Sequence, residues 1–408
     1  MKILLATSRV SASAGIASYN RELHSLLVDN NEIHLLVDEK LAEFPGYTKV
    51  FTTFGSDLCK YEDVENLCGL INDEKYDVII NSNSHFLSLL TPYISDNIRI
   101  VSISHSLGTM DCDGAAYNNK YVDNIVALSE NCRQYISRRF FIKKEKITVI
   151  FNSVEEKENA SVLREQKKTA SKLKIVFAGG TASSKSPDIV VPIIWELCKS
   201  KLHFEFYWLG ITTPPLKRFQ PYQDVRLVLP KDERVIVTGA IPQPQAAEII
   251  ASCNIFLAPS RREGFPMALL EAMRVGCIPI VSDFDIANKE IIDNNVNGYI
   301  IPHHDITVFV DRITDIILHH EQYGIIYNNS FKTFEELLRF PIWLSKIDSL
   351  IRSNLINHKH RKKIRKCHFV LNVTMFKLLE WYNLLENHIK EVLPCAWKFY
   401  GFYKKYNK

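Results

Sequence analysis

The sequence predicts an α/β protein of two doubly wound domains, each a parallel sheet covered by helices on both faces. Three observations predict it. Short apolar runs alternate with amphipathic stretches along most of the 408 residues, which is the pattern βαβ units leave in a sequence. The pattern occurs twice, with a polar stretch between the two passes. The length suits two or three domains at roughly 150 residues each.

The first pass places strands at residues 2–6, 33–37, 78–81, 98–103, 124–128 and 148–151, with helix-like stretches such as 18–28 and 130–140 between them. The second places strands at 174–177, 204–209, 235–238, 255–258, 278–281 and 298–301. Residues 155–172, EEKENASVLREQKKTASK, are polar, carry no strand signal and read as an interdomain connector. This divides the chain into an N-terminal domain (1–155), a linker (156–172) and a C-terminal domain (173–333). Residues 334–356 read as one or two helices returning toward the first domain, and 357–408 as a basic, aromatic tail. In such sheets ligands bind beyond the carboxyl ends of the strands. Two domains facing each other are expected to form a cleft there.

Composition narrows the function classes. Hydrophobic residues make up 46% and charged residues 24%, which excludes a disordered, collagen-like or low-complexity chain. No run of 18 or more residues is apolar enough to span a bilayer. The stretch from Met1 to Thr7 is too short for a signal-peptide core and reads as a first buried strand, so the cytosol is the expected compartment. The nine cysteines are scattered without a C-x-x-C pair and read as small buried hydrophobes. The net charge of +4 is uneven, with +9 in residues 357–408 against −5 in the rest. A slightly acidic body argues against a nucleic-acid partner. The tail has three readings: a solvated helical face, adsorption to an anionic membrane surface, or an oligomer contact.

The most informative segment is 259–279, PSRREGFPMALLEAMRVGCIP. A strand leads into a polar loop, Pro266 suits the first turn of a helix, Met267–Val275 are helix formers, and Gly276 suits the stop. Gly264 allows close backbone approach to a ligand. The helix N-terminus suits a diphosphate. Glu263 and Glu271, with seven residues between them, would meet hydroxyls rather than phosphates. A ligand with both is a nucleotide sugar.

In this setting E-x7-E, followed by GCIPIV and NGYIIP, resembles the donor-site segment of family 4 retaining glycosyltransferases, which have the GT-B architecture of two Rossmann-like domains. The resemblance runs in order over about the first 350 residues: SAGIASYN (13–20), VSISHSLG (101–108), IVALSENCRQYI (125–136), TVIFNSVE (148–155), KIVFAGGTASSKSPDIVV (174–191) and VIVTGAIPQPQAAEIIASCNIFLAPS (235–260). It implies that Lys185 neutralises the diphosphate, with Gly180 standing where the family usually has an arginine. It also implies that Gly15 approaches a phosphate, His105 contacts the donor sugar, and Gly239-Ala240 presents backbone to the base. Glu271 would hold the ribose, Glu263 the donor sugar, and Gly264, Phe265, Pro266 and Met267 the turn around them.

The expected reaction is a metal-independent, retaining transfer from a UDP- or GDP-sugar to a saccharide or lipid-linked acceptor at the inner face of a membrane, in bacterial surface polysaccharide or glycolipid synthesis. Two other classes stay open: a sugar-nucleotide epimerase or hydrolase of the same fold, and a non-catalytic binding module. Three further motifs carry weaker readings. GGTASSKS (179–186) lacks the glycine a P-loop needs at Ser184. Asp111 and Asp113 could be a metal-binding carboxylate pair but lie in a loop. His303-His304-Asp305 reads as a solvated loop.

Overall fold

The computed structural model describes residues 1–8, 15–38, 46–53, 61–105, 109–156, 158–180, 183–210, 229–261, 265–283, 288–303 and 305–353, with Thr374 and Lys377 beyond them. The chain divides into two compact units, one of Met1–Ile150 with the described residues from Ser345 onward, the other of Phe151–Leu344.

The first unit runs β1 (Lys2–Thr7), α1 (Gly15–Leu27), β2 (Glu32–Val37), β3 (Lys49–Thr52), α2 (Tyr61–Asp73), β4 (Val78–Ser82), α3 (His85–Leu90), β5 (Arg99–Ser104), α4 (Thr109–Ala116), β6 (Asn124–Ala127), α5 (Glu130–Phe140) and β7 (Ile147–Val149). Its seven strands lie in the order β3-β2-β1-β4-β5-β6-β7, all parallel. The apolar runs ILLA of β1 and VII of β4 pair in register (Leu5 opposite Ile80) and are 0–2% exposed. Helices cover both faces of a parallel sheet, so a continuous apolar run is the only pattern that suits its central strands. Ser129 caps α5 through its hydroxyl, which accepts from the Cys132 amide at 3.0 Å.

The second unit runs α6 (Ala160–Lys168), β8 (Leu173–Ala178), α7 (Pro187–Cys198), β9 (Phe204–Leu209), β10 (Val235–Gly239), α8 (Gln243–Ser252), β11 (Ile255–Ala258), α9 (Met267–Met273), β12 (Ile278–Ser282), β13 (Tyr299–Ile301), α10 (Ile306–Leu318) and α11 (Gly324–Thr333). A short π-helical turn, Phe334–Leu338, follows, and then α12 (Phe340–Arg352), whose residues from Ser345 onward belong to the first unit. The six parallel strands are ordered β10-β9-β8-β11-β12-β13. Both units therefore repeat one winding. The chain moves outward from the first strand, returns, and moves outward the other way, which leaves a switch point between β1 and β4 and another between β8 and β11. The core of the second unit is Phe177, Phe204, Phe206 and Trp208 packed with Ile193, Ile194, Ile255, Ile280 and Phe309, all at most 1% exposed.

Three expectations change. Strand β3 was not expected: it is a four-residue edge strand, KVFT, with only Phe51 buried, too short for a periodic signal. The polar stretch 155–172 is more than a connector, because it contains α6, whose Lys167 is buried against the second unit. The expected solvated loop at His303 is instead buried, with His303 3% exposed, while the neighbouring Asp305 caps α10 by accepting from the Val308 amide at 3.1 Å. Residues 357–408, with the tail's basic cluster, lie outside the described residues apart from Thr374 and Lys377. No helix among the described residues is long and apolar enough to cross a membrane.

Candidate functional site

In the second unit the ends of β8, β9 and β10 meet at three glycines. Gly179 follows β8 directly, and a Cβ there would lie 2.6 Å from the Phe177 ring. Its carbonyl accepts from the Trp208 indole at 2.8 Å, and Trp208 meets Phe177 edge-to-face. A bare backbone is therefore required. Gly210 and Gly239 have φ of +92° and +71°, conformations that L side chains rarely adopt. The Gly210 amide donates to the Gly239 carbonyl at 3.0 Å. Gly180 differs: among the described residues a Cβ there meets only the Gly210 carbonyl, at 3.7 Å. The backbone does not demand glycine at that position.

Beyond Gly180, Ser183–Lys185 forms one 3-10 turn that brings Lys185 to the start of α7. This turn is braced from across the switch point. The Arg261 amide donates to the Ser184 carbonyl at 2.8 Å, and the Arg261 guanidinium makes a two-pronged pair with Asp188 at 2.7 and 2.6 Å. Both side chains are less than one-fifth exposed, and a fork geometry of this kind fixes orientation as well as distance. His303 Nε2 lies 3.0 Å from the Ser186 hydroxyl. Ser186 is fully buried, at a left-handed φ of +55°. The loop after β8 and the loop after β11 are thus one hydrogen-bonded assembly. Sequence reasoning missed the roles of Arg261, Asp188 and Ser186, and took His303 for part of a solvated loop. The acidic residue just after Pro187 at a helix start was the available signal.

The loop after β11 leads to α9. Glu263 and Gly264 lie outside the described residues. Phe265 is buried and stacks on Phe151 (5.1 Å, 13°), and its carbonyl accepts from the Asn152 amide at 3.1 Å. Pro266 sits just before α9, whose first residue is Met267. The helix ends at Met273, two residues earlier than expected, and Gly276 makes the stop at φ +71°. A helix of seven residues has a small end-dipole, so it contributes less to binding an anion than the longer helix would. Glu271 is half-buried on α9, and its Oε1 accepts from Gln243, the first residue of α8, at 2.8 Å. Burial raises the Glu271 carboxyl above its usual range, while the Gln243 hydrogen bond and the Arg274 charge pull it part of the way back. Gln243 follows Gly239-Ala240 by three residues, so Glu271 and the expected base-binding turn belong to one neighbourhood. Ala240 itself is exposed.

In the first unit Gly15 is the first residue of α1. His105 follows β5 and is 8% exposed. Its Nε2 lies 2.7 Å from the Ser82 hydroxyl, and Tyr19 meets the ring edge-on at 4.8 Å. Burial pushes the His105 imidazole down to about 3, so it is neutral at pH 7. Asp113, half of the carboxylate pair weighed as a metal site, instead receives both prongs of Arg139 at 2.7 and 2.8 Å. The Asp111 side chain is not described.

Residues 136–333, just under half of the chain, match the family model described as glycosyl transferases group 1. The chain is 27% identical over 197 residues to the lipopolysaccharide 1,6-galactosyltransferase of Escherichia coli K12, covering 48% of this chain and 52% of that one. It is 22% identical over 213 residues to the GPI3 subunit of phosphatidylinositol N-acetylglucosaminyltransferase of Saccharomyces cerevisiae, covering 50% and 46%. The matches span about half the length of these curated relatives. Among solved structures, Anabaena HepE in complex with UDP superposes with a TM-score of 0.68 at 18% identity, covering 87% of this chain and all of that one. The lipopolysaccharide outer core galactosyltransferase WaaB superposes at 0.64, also at 18% identity, covering 86% and 99%. The fold is that of the GT-B glycosyltransferases.

Proposed function

We propose that this chain is a glycosyltransferase that moves a sugar from a nucleoside diphosphate donor to a hydroxyl acceptor, with retention, in the synthesis of a surface polysaccharide or glycolipid. The observation that carries this reading is the braced switch point of the second unit. There the bare backbone at Gly179-Gly180, the Lys185 turn held by Arg261 and Asp188, and the Glu271–Gln243 pair belong to adjoining strand ends and helices. A lysine and free backbone suit a diphosphate, and a carboxylate suits ribose hydroxyls. Fixed donors aimed at a leaving diphosphate are the usual means of stabilising such a transition state. The group 1 match over 136–333 and the UDP complex of HepE support the same reading.

In this scheme Glu271 holds the ribose, Lys185 the diphosphate, and Gly239-Ala240 the base. Glu263 is proposed for the donor sugar. In the first unit, Gly15 is proposed for phosphate approach and His105 for a sugar hydroxyl. The positive charge on the diphosphate side comes from Lys185, so divalent metal is proposed to be dispensable. Incubating the purified full chain with a panel of UDP- and GDP-sugars and saccharide acceptors, followed by mass spectrometry, tests the reading. A product heavier by one sugar residue is expected with one donor class, with or without chelator. Release of free sugar or an isomerised nucleotide sugar, with no acceptor product, would favour the hydrolase or epimerase class.

A further inference from the structure

At the switch point of the first unit, four buried polar side chains from four elements form a chain of hydrogen bonds. His105, after β5, meets the Ser82 hydroxyl, at the end of β4, through Nε2 at 2.7 Å. The Ser82 hydroxyl donates to Asn20 Oδ1, on α1, at 2.5 Å. The Asn20 amide donates to the Thr7 hydroxyl, at the end of β1, at 2.8 Å. Thr7, Asn20 and Ser82 are all fully buried.

The directions decide the chemistry. A serine hydroxyl has one proton to donate. Asn20 Oδ1 is an acceptor only, and it takes that proton. Ser82 must therefore accept from His105. We infer that Ser82, Asn20 and Thr7 are positioning residues that hold His105 as the Nε2–H tautomer, so that Nδ1 presents a lone pair to a hydroxyl of a bound saccharide. Among the described residues no hydrogen bond to Nδ1 is formed. Burial keeps the ring neutral at pH 7, as a tautomer preference requires. The ring nitrogen that binds a ligand is set by the bond the other one makes. Here that bond runs through Ser82 and Asn20 to Thr7 of strand β1, so the ring is fixed in both orientation and protonation. That the hydroxyl belongs to a saccharide rests on the proposed function; the tautomer does not.

Nitrogen-15 NMR of the full chain labelled at histidine tests both parts. In the wild type the His105 Nε2 resonance should show a directly bonded proton and Nδ1 should not. A proton on Nδ1 would overturn the assignment, and this arm needs no variant and no ligand. Asn20→Leu removes the acceptor of the Ser82 proton, which then turns to His105 Nε2 and should drive the ring proton to Nδ1. Ser82→Ala, a smaller change that keeps the fold if Asn20→Leu does not, should leave a mixture of tautomers. An unchanged Nε2–H form in Ser82→Ala would mean that the network plays a packing role alone. For the ligand, UDP-glucose, UDP and glucose are added in turn. Movement of Nδ1 with UDP-glucose but not UDP places the hydroxyl on a donor sugar, and movement with glucose alone places it on an acceptor. No movement with any of them overturns the saccharide half while the tautomer stands. In turnover with a nucleotide sugar, loss of one oriented hydrogen bond corresponds to about a tenfold rise in KM for Ser82→Ala. Loss of kcat in step with folded fraction, at constant KM, would indicate a structural role only.

Discussion

Glu271, proposed to hold the ribose, is a carboxyl that folding buries at some expense of stability. Folding buries its carboxyl, and burial dominates over the Gln243 hydrogen bond and the Arg274 charge, so the net shift is upward. For an acid with a raised pKa in the folded state, the stability contribution is full at low pH and is lost as pH rises through that pKa. At pH 7 the ionised Glu271 therefore opposes folding. Glu271→Gln should be at least as stable as the parent at pH 7 by urea denaturation, with the difference shrinking as pH falls toward the ordinary carboxyl value of 4.5. The same variant should bind a nucleoside diphosphate about ten- to a hundredfold more weakly, the range expected for a charge-assisted hydrogen bond. A variant that is destabilised at pH 7 would show that the carboxylate is structural. The E-x7-E spacing revealed this residue in the sequence. The Gln243 partner was invisible there, because it lies 28 residues away and only the packing of α8 on α9 joins them.

At the scale of elements, the sequence shows most where burial is two-sided. β9, β11 and α5 have the boundaries expected from apolar runs and caps. β3 and α6 escaped because their signals are one-sided or polar. α6 is instructive. Its Lys167 is 3% exposed, and its ammonium donates to the carbonyl of Ala251 at 2.8 Å, to that of Cys253, and to Cys277 Sγ at 3.2 Å. Ala251 and Cys253 lie at the C-terminal end of α8, where orphan carbonyls favour a cation. A lysine in a polar stretch reads as surface; nothing in one sequence says that it reaches into a helix end. Lys167→Met should leave those carbonyls without donors and lower stability by about 1–3 kcal/mol, measured by chemical denaturation. A shift below a few tenths would mean that water replaces the ammonium without loss.

For the whole molecule, the repeated winding means that each unit carries its own switch point, and the residues singled out from sequence fall at both. His105 and Gly15 belong to the first, and Gly180, Lys185 and Glu271 to the second. What was not legible is the bracing, since Arg261–Asp188 and Ser186–His303 join positions 73 and 117 residues apart. The last described helix is anchored in the first unit: Arg99, 4% exposed at the start of β5, donates to the Ser353 hydroxyl at 2.9 Å and to its carbonyl. This anchor precedes the basic tail. The tail's +9 charge against −5 elsewhere supports a proposal of binding to an anionic membrane surface, at about 1 kcal/mol per basic residue near it. Deleting residues 357–408 should release the protein from vesicles of mixed neutral and anionic lipid while leaving nucleotide affinity unchanged. Full-length protein that ignores such vesicles at low salt would contradict the proposal.

The most direct test of the donor site is calorimetry of UDP and uridine binding to the full chain and to Glu271→Ala and Lys185→Ala, with GDP and guanosine as the second pair. The account predicts that Glu271→Ala weakens both the nucleoside and its diphosphate, and that Lys185→Ala weakens the diphosphate by about ten- to a hundredfold while barely changing the nucleoside. Unchanged affinity in both variants, for whichever diphosphate binds the parent chain, would contradict it.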